Sequence, residues 1–245
     1  TGVQTCALPI YPDVQLNLFI NNGRATITLD TSGTPLYKRG YRQESVAAPI
    51  QESIAAAILK IAGYSKEDIL FDPFCGSGTF LIEAAMIATK TPAGYFRETW
   101  GFVNLPEFSQ EAWLKVKANA DKAIEPLIPG KIFGSDIDSK AVGISRSHLK
   151  ATGFAIHVVK QEVKNASAPV TPTLVIANPP YGKRLMTSEQ PYRDLGQFLK
   201  TLKTRAAVLS PDLSLIRLLE RRITSQTALS NGGLDVILYQ ITSGS

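Results

Sequence analysis
The chain has 245 residues, 44% of them hydrophobic and 19% charged, with a formal net charge of +5. That is enough for one large domain with a buried core, and the positive balance suits a polyanionic partner without specifying one. Two cysteines, Cys6 and Cys75, exclude a disulfide framework or a zinc site, and no apolar run is long enough to span a bilayer or to follow a basic start as a secretory leader.

Residues 1–10 do not fit the pattern of the rest and read as adapter-derived sequence rather than native protein. From residue 14 the chain alternates. Leu16, Leu18 and Ile20, then Ala25, Ile27 and Leu29, flank Asn21-Asn22-Gly23, which predicts a hairpin with a primed turn. A turn over 31–35 leads to Leu36-Tyr37-Lys38-Arg39-Gly40-Tyr41-Arg42. Cations mixed with aromatics suit phosphate contact through Lys38, Arg39 and Arg42 plus base stacking. They also suit a solvated basic segment whose tyrosines pack on the core. Pro49 opens a helix over 50–61, with Ile54, Ala57, Ile58 and Ile61 on one face and Gly63 as its cap.

Ile69-Leu70-Phe71 predicts a short buried strand. It runs into Asp72-Pro73-Phe74-Cys75-Gly76-Ser77-Gly78-Thr79 and then a strong helix former over 80–88. Strand, glycine turn and helix N-terminus form the generic nucleotide cradle of open α/β sheets. Gly-x-Gly alone serves equally as a plain connector. Cys75 reads as a small residue that fits the turn. Residues 91–129 are longer than an ordinary crossover and include a helix over 109–124; Trp100 and Trp113 read as core rather than as ligand platforms.

A second strand, 131–135, ends in Asp136-Ile137-Asp138. An acid at this place can accept both ribose hydroxyls of a nucleoside, which fits Asp136, while Asp138 reads as the cap of the helix over 139–152. The third strand is 156–160. His148 and His157 lack any ligand or triad pattern and read as non-catalytic.

The fourth strand, Leu174-Val175-Ile176-Ala177, delivers Asn178-Pro179-Pro180-Tyr181. An exocyclic amine on a nucleobase is a poor nucleophile because its lone pair is delocalised into the ring. Two acceptors that take both hydrogens pyramidalise the nitrogen and stabilise the positive charge that develops on attack. The side-chain oxygen of Asn178 and the carbonyl of Pro179 are the expected acceptors. Pro179 and Pro180 stiffen the backbone that presents them, and Tyr181 stacks on the base once it has left its helix. A helix over 192–202, a strand over 206–209, a helix over 211–222 and a hairpin turning at Asn231-Gly232-Gly233 complete the chain.

The two motifs together resemble class I S-adenosylmethionine-dependent methyltransferases that modify amines. With the Lys38-to-Arg42 segment, Ala48-Pro49-Ile50-Gln51-Glu52 and Tyr192-Arg193-Asp194-Leu195-Gly196, the chain resembles the bacterial 23S ribosomal RNA guanine-N2 methyltransferases that carry a THUMP domain. The likeness runs over about residues 11–241. It implies a Rossmann-like α/β fold: a seven-stranded, mostly parallel sheet of order 3-2-1-4-5-7-6, helices on both faces and a C-terminal antiparallel hairpin. Residues 1–45 would be a hairpin and linker that follow a missing RNA-binding THUMP region, and 46–245 the methyltransferase domain.

The resemblance places S-adenosylmethionine over the ends of the first two strands. Asp72, Pro73, Cys75, Gly76, Gly78, Thr79, Asp136, Ile137, Glu162 and Asn178 would hold it, with Ala48 and Gln51 at the border. Glu162 stands where the family usually has aspartate, and Lys183 where it more often has an acid. Lys183 and Arg184 would join Lys38, Arg39 and Arg42 on the RNA, and Asn178, Pro179, Pro180 and Tyr181 would act on the target amine. The implied protein is a cytoplasmic monomer that uses no metal. The motif leaves tRNA guanine-N2, nucleic-acid adenine-N6 and protein glutamine-N5 methylation open.

Overall fold
The computed structural model describes residues 14–42, 49–166, 168–180 and 189–242. The first element is the expected hairpin, β1 (Gln15–Asn21) and β2 (Arg24–Asp30). Asn22 and Gly23 both take positive φ, as a primed two-residue turn requires. The register pairs Leu16 with Leu29, Leu18 with Ile27 and Ile20 with Ala25. Directly opposed residues share a face, so these six make one apolar face, and it is exposed: Leu18 is 61% and Ile27 69% accessible. The hairpin forms its own two-stranded sheet.

The main body then alternates helix and strand: α1 (Glu52–Ile61), β3 (Leu70–Asp72), α2 (Thr79–Ala88), α3 (Gln110–Asp121), β4 (Ile132–Asp136), α4 (Ser139–Thr152), β5 (His157–Lys160), β6 (Leu174–Ala177), α5 (Gln190–Lys200), β7 (Arg205–Ser210), α6 (Leu213–Arg217), β8 (Ile223–Asn231) and β9 (Leu234–Ile241). The strand order is β5-β4-β3-β6-β7-β9-β8. Counted from β3, this is the expected 3-2-1-4-5-7-6. β9 runs antiparallel to β7, and β8 antiparallel to β9.

The sheet is covered on both faces. Leu70, Ile58, Leu81, Ile82 and Leu149 belong to the layer shared with α1, α2 and α4. Phe71, Tyr192, Leu195, Phe198 and Ile216 belong to the opposite layer, with α5 and α6. β3 is buried on both faces, and so are the first eight residues of α2, which explains why neither segment carries a polar stripe. The chain climbs one way through β3, β4 and β5, then returns to the other side of β3 with β6. The crevice of such a sheet opens at the carboxyl ends of the strands at that reversal.

Two expectations shift. The helix expected over 211–222 is helical only at Leu213–Arg217. Asp212 caps its start by accepting from Ser214 N at 2.8 Å, and Glu220 at φ 52° ends any continuation. Trp100 and Trp113 belong to neither main core layer. They meet at 5.5 Å between ring centres and join Phe102 and Phe108 in a separate cluster on the 91–129 segment.

That segment holds down residues 31–38. Arg97 donates to the carbonyls of Ser32, Thr34, Pro35 and Lys38 and lies over the Trp100 ring. Phe102 N donates to Thr31 O. Gly33 and Gly101 approach so closely that a Cβ on Gly101 would stand 2.6 Å from Gly33 N.

Candidate active site
The glycine turn joins β3 to α2 with two left-handed residues, Gly76 at φ 53° and Gly78 at φ 83°. Gly78 is obligatory for a second reason: a Cβ there would stand 2.5 Å from Ser145 Oγ on α4. Nothing lies within 4 Å of a Cβ built on Gly76, so the outer bend of the turn is open. Gly78 is also the N-cap of α2 and supplies no side-chain acceptor, so the helix start keeps donors available.

Neighbouring strands and α4 fix the turn from below. Cys75 N donates to Ser135 O at 3.0 Å, and Gly76 N donates to Asp136 Oδ2 at 2.9 Å. His148 Nδ1 lies 3.1 Å from Ser77 O, with the ring buried. His148 and Ser145 are therefore supports of the turn that the sequence reading missed. Their signal was a Ser and a His three residues apart on the apolar face of α4. The Cys75 side chain points into the core, and burial pushes its thiol pKa well up, so it stays protonated. Its place in the turn is that of a small residue that fits.

The acids stand at the strand ends. β3 pairs with β4 and β6, so Asp72, Asp136 and Asn178 sit at the carboxyl ends of three adjacent parallel strands. Asp72 is buried; its Oδ1 accepts from Phe74 N at 3.0 Å, and its Oδ2 has no partner among the described residues. Burial pushes its pKa well up, and the Asp136 charge adds to that. Asp136 accepts from Gly76 N and from Asp138 N, 2.9 Å each. Burial still raises its pKa, against the pull of those backbone donors. Asp138 caps α4 through Lys140 N, as expected. Ile137, between the two acids, is an exposed apolar surface at 61%.

Just after β6, Asn178 Oδ1 is buried and has no partner among the described residues. Pro179 is buried and Pro180 exposed. Glu162 is exposed beyond β5 and pairs with Lys164 at 3.0 Å, so its carboxylate is not gathered with the others; the backbone of Gln161 is, through its N–H to Asp136 O at 2.9 Å. Gln51 is the N-cap of α1, and its N–H donates to Asn231 Oδ1 at the end of β8 at 3.4 Å. Ala48, Tyr181, Lys183 and Arg184 lie outside the described residues.

The basic segment corrects one expectation. Lys38 is exposed, but Arg39 and Arg42 are turned inward toward buried acids. Arg39 pairs with Glu83 on α2 at 3.5 Å. Tyr41 is buried and its hydroxyl donates to Glu83 Oε1 at 3.0 Å. Arg42 pairs with Glu52 at 3.3 Å and donates to Ile50 O and Thr79 Oγ1, both at 2.9 Å. The physical reason is two buried glutamates, Glu52 and Glu83, on the helices behind the glycine turn. Such charges are retained only when paired.

Two buried acceptors without a partner among the described residues, an open glycine bend, an acid at the second strand end and an adjacent apolar Ile137 fit a nucleoside ligand that carries positive charge. S-adenosylmethionine has those features. Asp72 Oδ2 suits a cationic donor, Asp136 the ribose hydroxyls and Ile137 the adenine face.

Comparison with known proteins agrees with this geometry. Residues 39–240 match the family described as the RMKL-like methyltransferase domain. The ribosomal RNA large subunit methyltransferase K/L of Photobacterium profundum is 34% identical over 248 residues, covering 96% of this chain and 35% of that protein. The chain thus spans about a third of that relative's length. The crystal structure of SMU.472 complexed with S-adenosylhomocysteine superposes with a TM-score of 0.87 and 31% identity, covering 95% of this chain and 62% of that one. A predicted N6-adenine-specific DNA methylase from Listeria monocytogenes gives 0.83 and 29%, covering 94% and 61%. The chain belongs to the RMKL-like methyltransferase domain family.

Proposed function
We propose that this chain methylates the exocyclic N2 amine of a guanosine in 23S ribosomal RNA. The observation that carries the amine chemistry is Asn178: a buried side-chain oxygen without a partner among the described residues, at the end of β6, beside the strand reversal and followed by two prolines. The likeness to a ribosomal RNA methyltransferase supports the RNA target. Bound S-adenosylmethionine supplies a methyl group already activated on a sulfonium, so the protein's part is placement and electrostatics.

Asn178 Oδ1 and the Pro179 carbonyl accept the two amine hydrogens and turn the lone pair toward the methyl. They stabilise the positive charge as it grows on nitrogen. Asp72 and Asp136 hold the cofactor's cationic and ribose ends. No strong base is needed, since the methylated amine carries an acidic proton that water or a carbonyl accepts. Tyr181, Lys183 and Arg184 complete this reading as the stacking and phosphate-holding residues, with exposed Lys38 on the approach.

Adenine-N6 methylation is the second reading, favoured by the likeness to the Listeria monocytogenes protein. The test is transfer of labelled methyl from S-adenosylmethionine to unmodified ribosomal RNA, transfer RNA, DNA and protein, followed by nucleoside mass spectrometry. N2-methylguanosine in ribosomal RNA is the expected product. N6-methyladenine or labelled glutamine would overturn the target and keep the chemistry.

A further inference from the structure
We propose that Arg42 is a positioning residue for the cofactor site, acting through Thr79. This rests on the methyltransferase reading above. The Lys38-to-Arg42 segment is a strap across the back of the glycine turn, and it has two halves. In the first, Arg39 and Tyr41 converge on Glu83 in the middle of α2. Gly40, at φ 100°, lets the strap pass Phe96, whose carbonyl oxygen would stand 2.1 Å from a Cβ at that position. In the second half Arg42 reaches the first residue of α2. One guanidinium ties Glu52 and the Ile50 carbonyl, at the start of α1, to Thr79 Oγ1.

Thr79 is the joint that matters. It follows Gly78 directly, and α2 has no side-chain N-cap that would otherwise fix its first turn. Among the described residues its hydroxyl meets Arg42 Nη2 at 2.9 Å and Ser77 Oγ at 3.4 Å. Thr79 is buried, so the bond to Arg42 is shielded from water. A charged donor on a buried hydroxyl is one of the stronger contacts available to a single side chain. The planar fork of arginine is what allows one group to serve a carboxylate, a carbonyl and a hydroxyl at once, and a lysine ammonium cannot span the three in the same way. Arg42 therefore sets where the α2 N-terminus stands relative to α1, and with it the last residue of the cradle.

The test is calorimetric binding of S-adenosylhomocysteine to the full chain, with thermal unfolding of each variant measured alongside. Arg42→Lys keeps the charge beside Glu52 and should weaken binding roughly tenfold, the scale of one lost charge-assisted hydrogen bond. Thr79→Val should do the same, and the double variant should bind no worse than either single one. Glu83→Gln breaks the other half of the strap and should lower the melting temperature while leaving the affinity of the folded protein unchanged. Additive losses in the double variant, or affinity equal to the parent in Arg42→Lys, would overturn the positioning role while the cofactor reading stands. A parent chain that binds no S-adenosylhomocysteine would remove both.

Discussion
The carboxylate of Asp136 accepts a hydrogen bond from the backbone N–H of Gly76 at 2.9 Å, across 60 residues of sequence. One acid at the end of β4 thereby fixes the bend of the glycine turn and presents its remaining lone pairs to the crevice. Its other oxygen, bonded to Asp138 N, sets the start of the next loop. Removing this side chain should disturb the glycine turn and the proposed ribose contact together. Asp136→Ala is expected to weaken S-adenosylmethionine binding by about 10- to 100-fold, the range for losing hydrogen bonds to a charged group. Calorimetry checks it, and an unchanged dissociation constant would remove Asp136 from the site.

Asn178 is expected to separate from Asp136 in kinetics. In the proposed reaction its oxygen acts on the amine rather than on the cofactor's ribose. Asn178→Ala should leave cofactor affinity nearly intact and lower the methyl-transfer rate by roughly 10²–10³. Single-turnover transfer to RNA measures this, and parent-like turnover would refute the acceptor role.

Asp72 and Asp136 make cofactor binding depend on pH, with a definite sign. Burial raises both pKa values in the free protein. A bound cation favours the ionised forms, so binding releases protons and affinity should rise with pH. The window opens at the ordinary carboxylate value of about 4 and extends up through the raised values, with a slope of at most about tenfold per pH unit for each proton released. The stability of the free protein should move oppositely over the same window, because the folded state holds protons that the unfolded chain has lost. Asp72→Asn should flatten the affinity profile; an unaltered slope would show that Asp72 does not titrate against the ligand.

Gly40 is expected to tolerate no side chain. Its φ of 100° is unfavourable for any L-residue with a Cβ, and Phe96 O would stand 2.1 Å from that Cβ. Left-handed strain of roughly 1–2 kcal/mol adds to overpacking of about 1–3 kcal/mol. Gly40→Ala should therefore lower stability by about 2–5 kcal/mol in denaturant unfolding. Gly130, also at positive φ but with nothing within 4 Å of its Cβ, is the control and should cost only the strain.

The amino-acid order by itself determined the elements and the methyltransferase family. Alternation around Asn22-Gly23 gave the hairpin, the apolar run before Asp72 gave the central strand, and the two motifs placed a glycine turn and an Asn-Pro-Pro segment at strand ends. Each of these signals is local, because the period of side chains along a strand or helix and the demands of a glycine or proline are written in consecutive residues. Tertiary structure alone decided what the charged side chains do. Lys38, Arg39 and Arg42 look alike in the sequence, yet the two arginines are drawn inward because Glu83 and Glu52 lie buried on α2 and α1. His148 and Ser145 came under the glycine turn for the same reason: packing α4 against α2 brings together groups more than sixty residues apart. A buried polar atom must find a partner wherever the fold supplies one, and that partner's place in space is not written beside it in the chain.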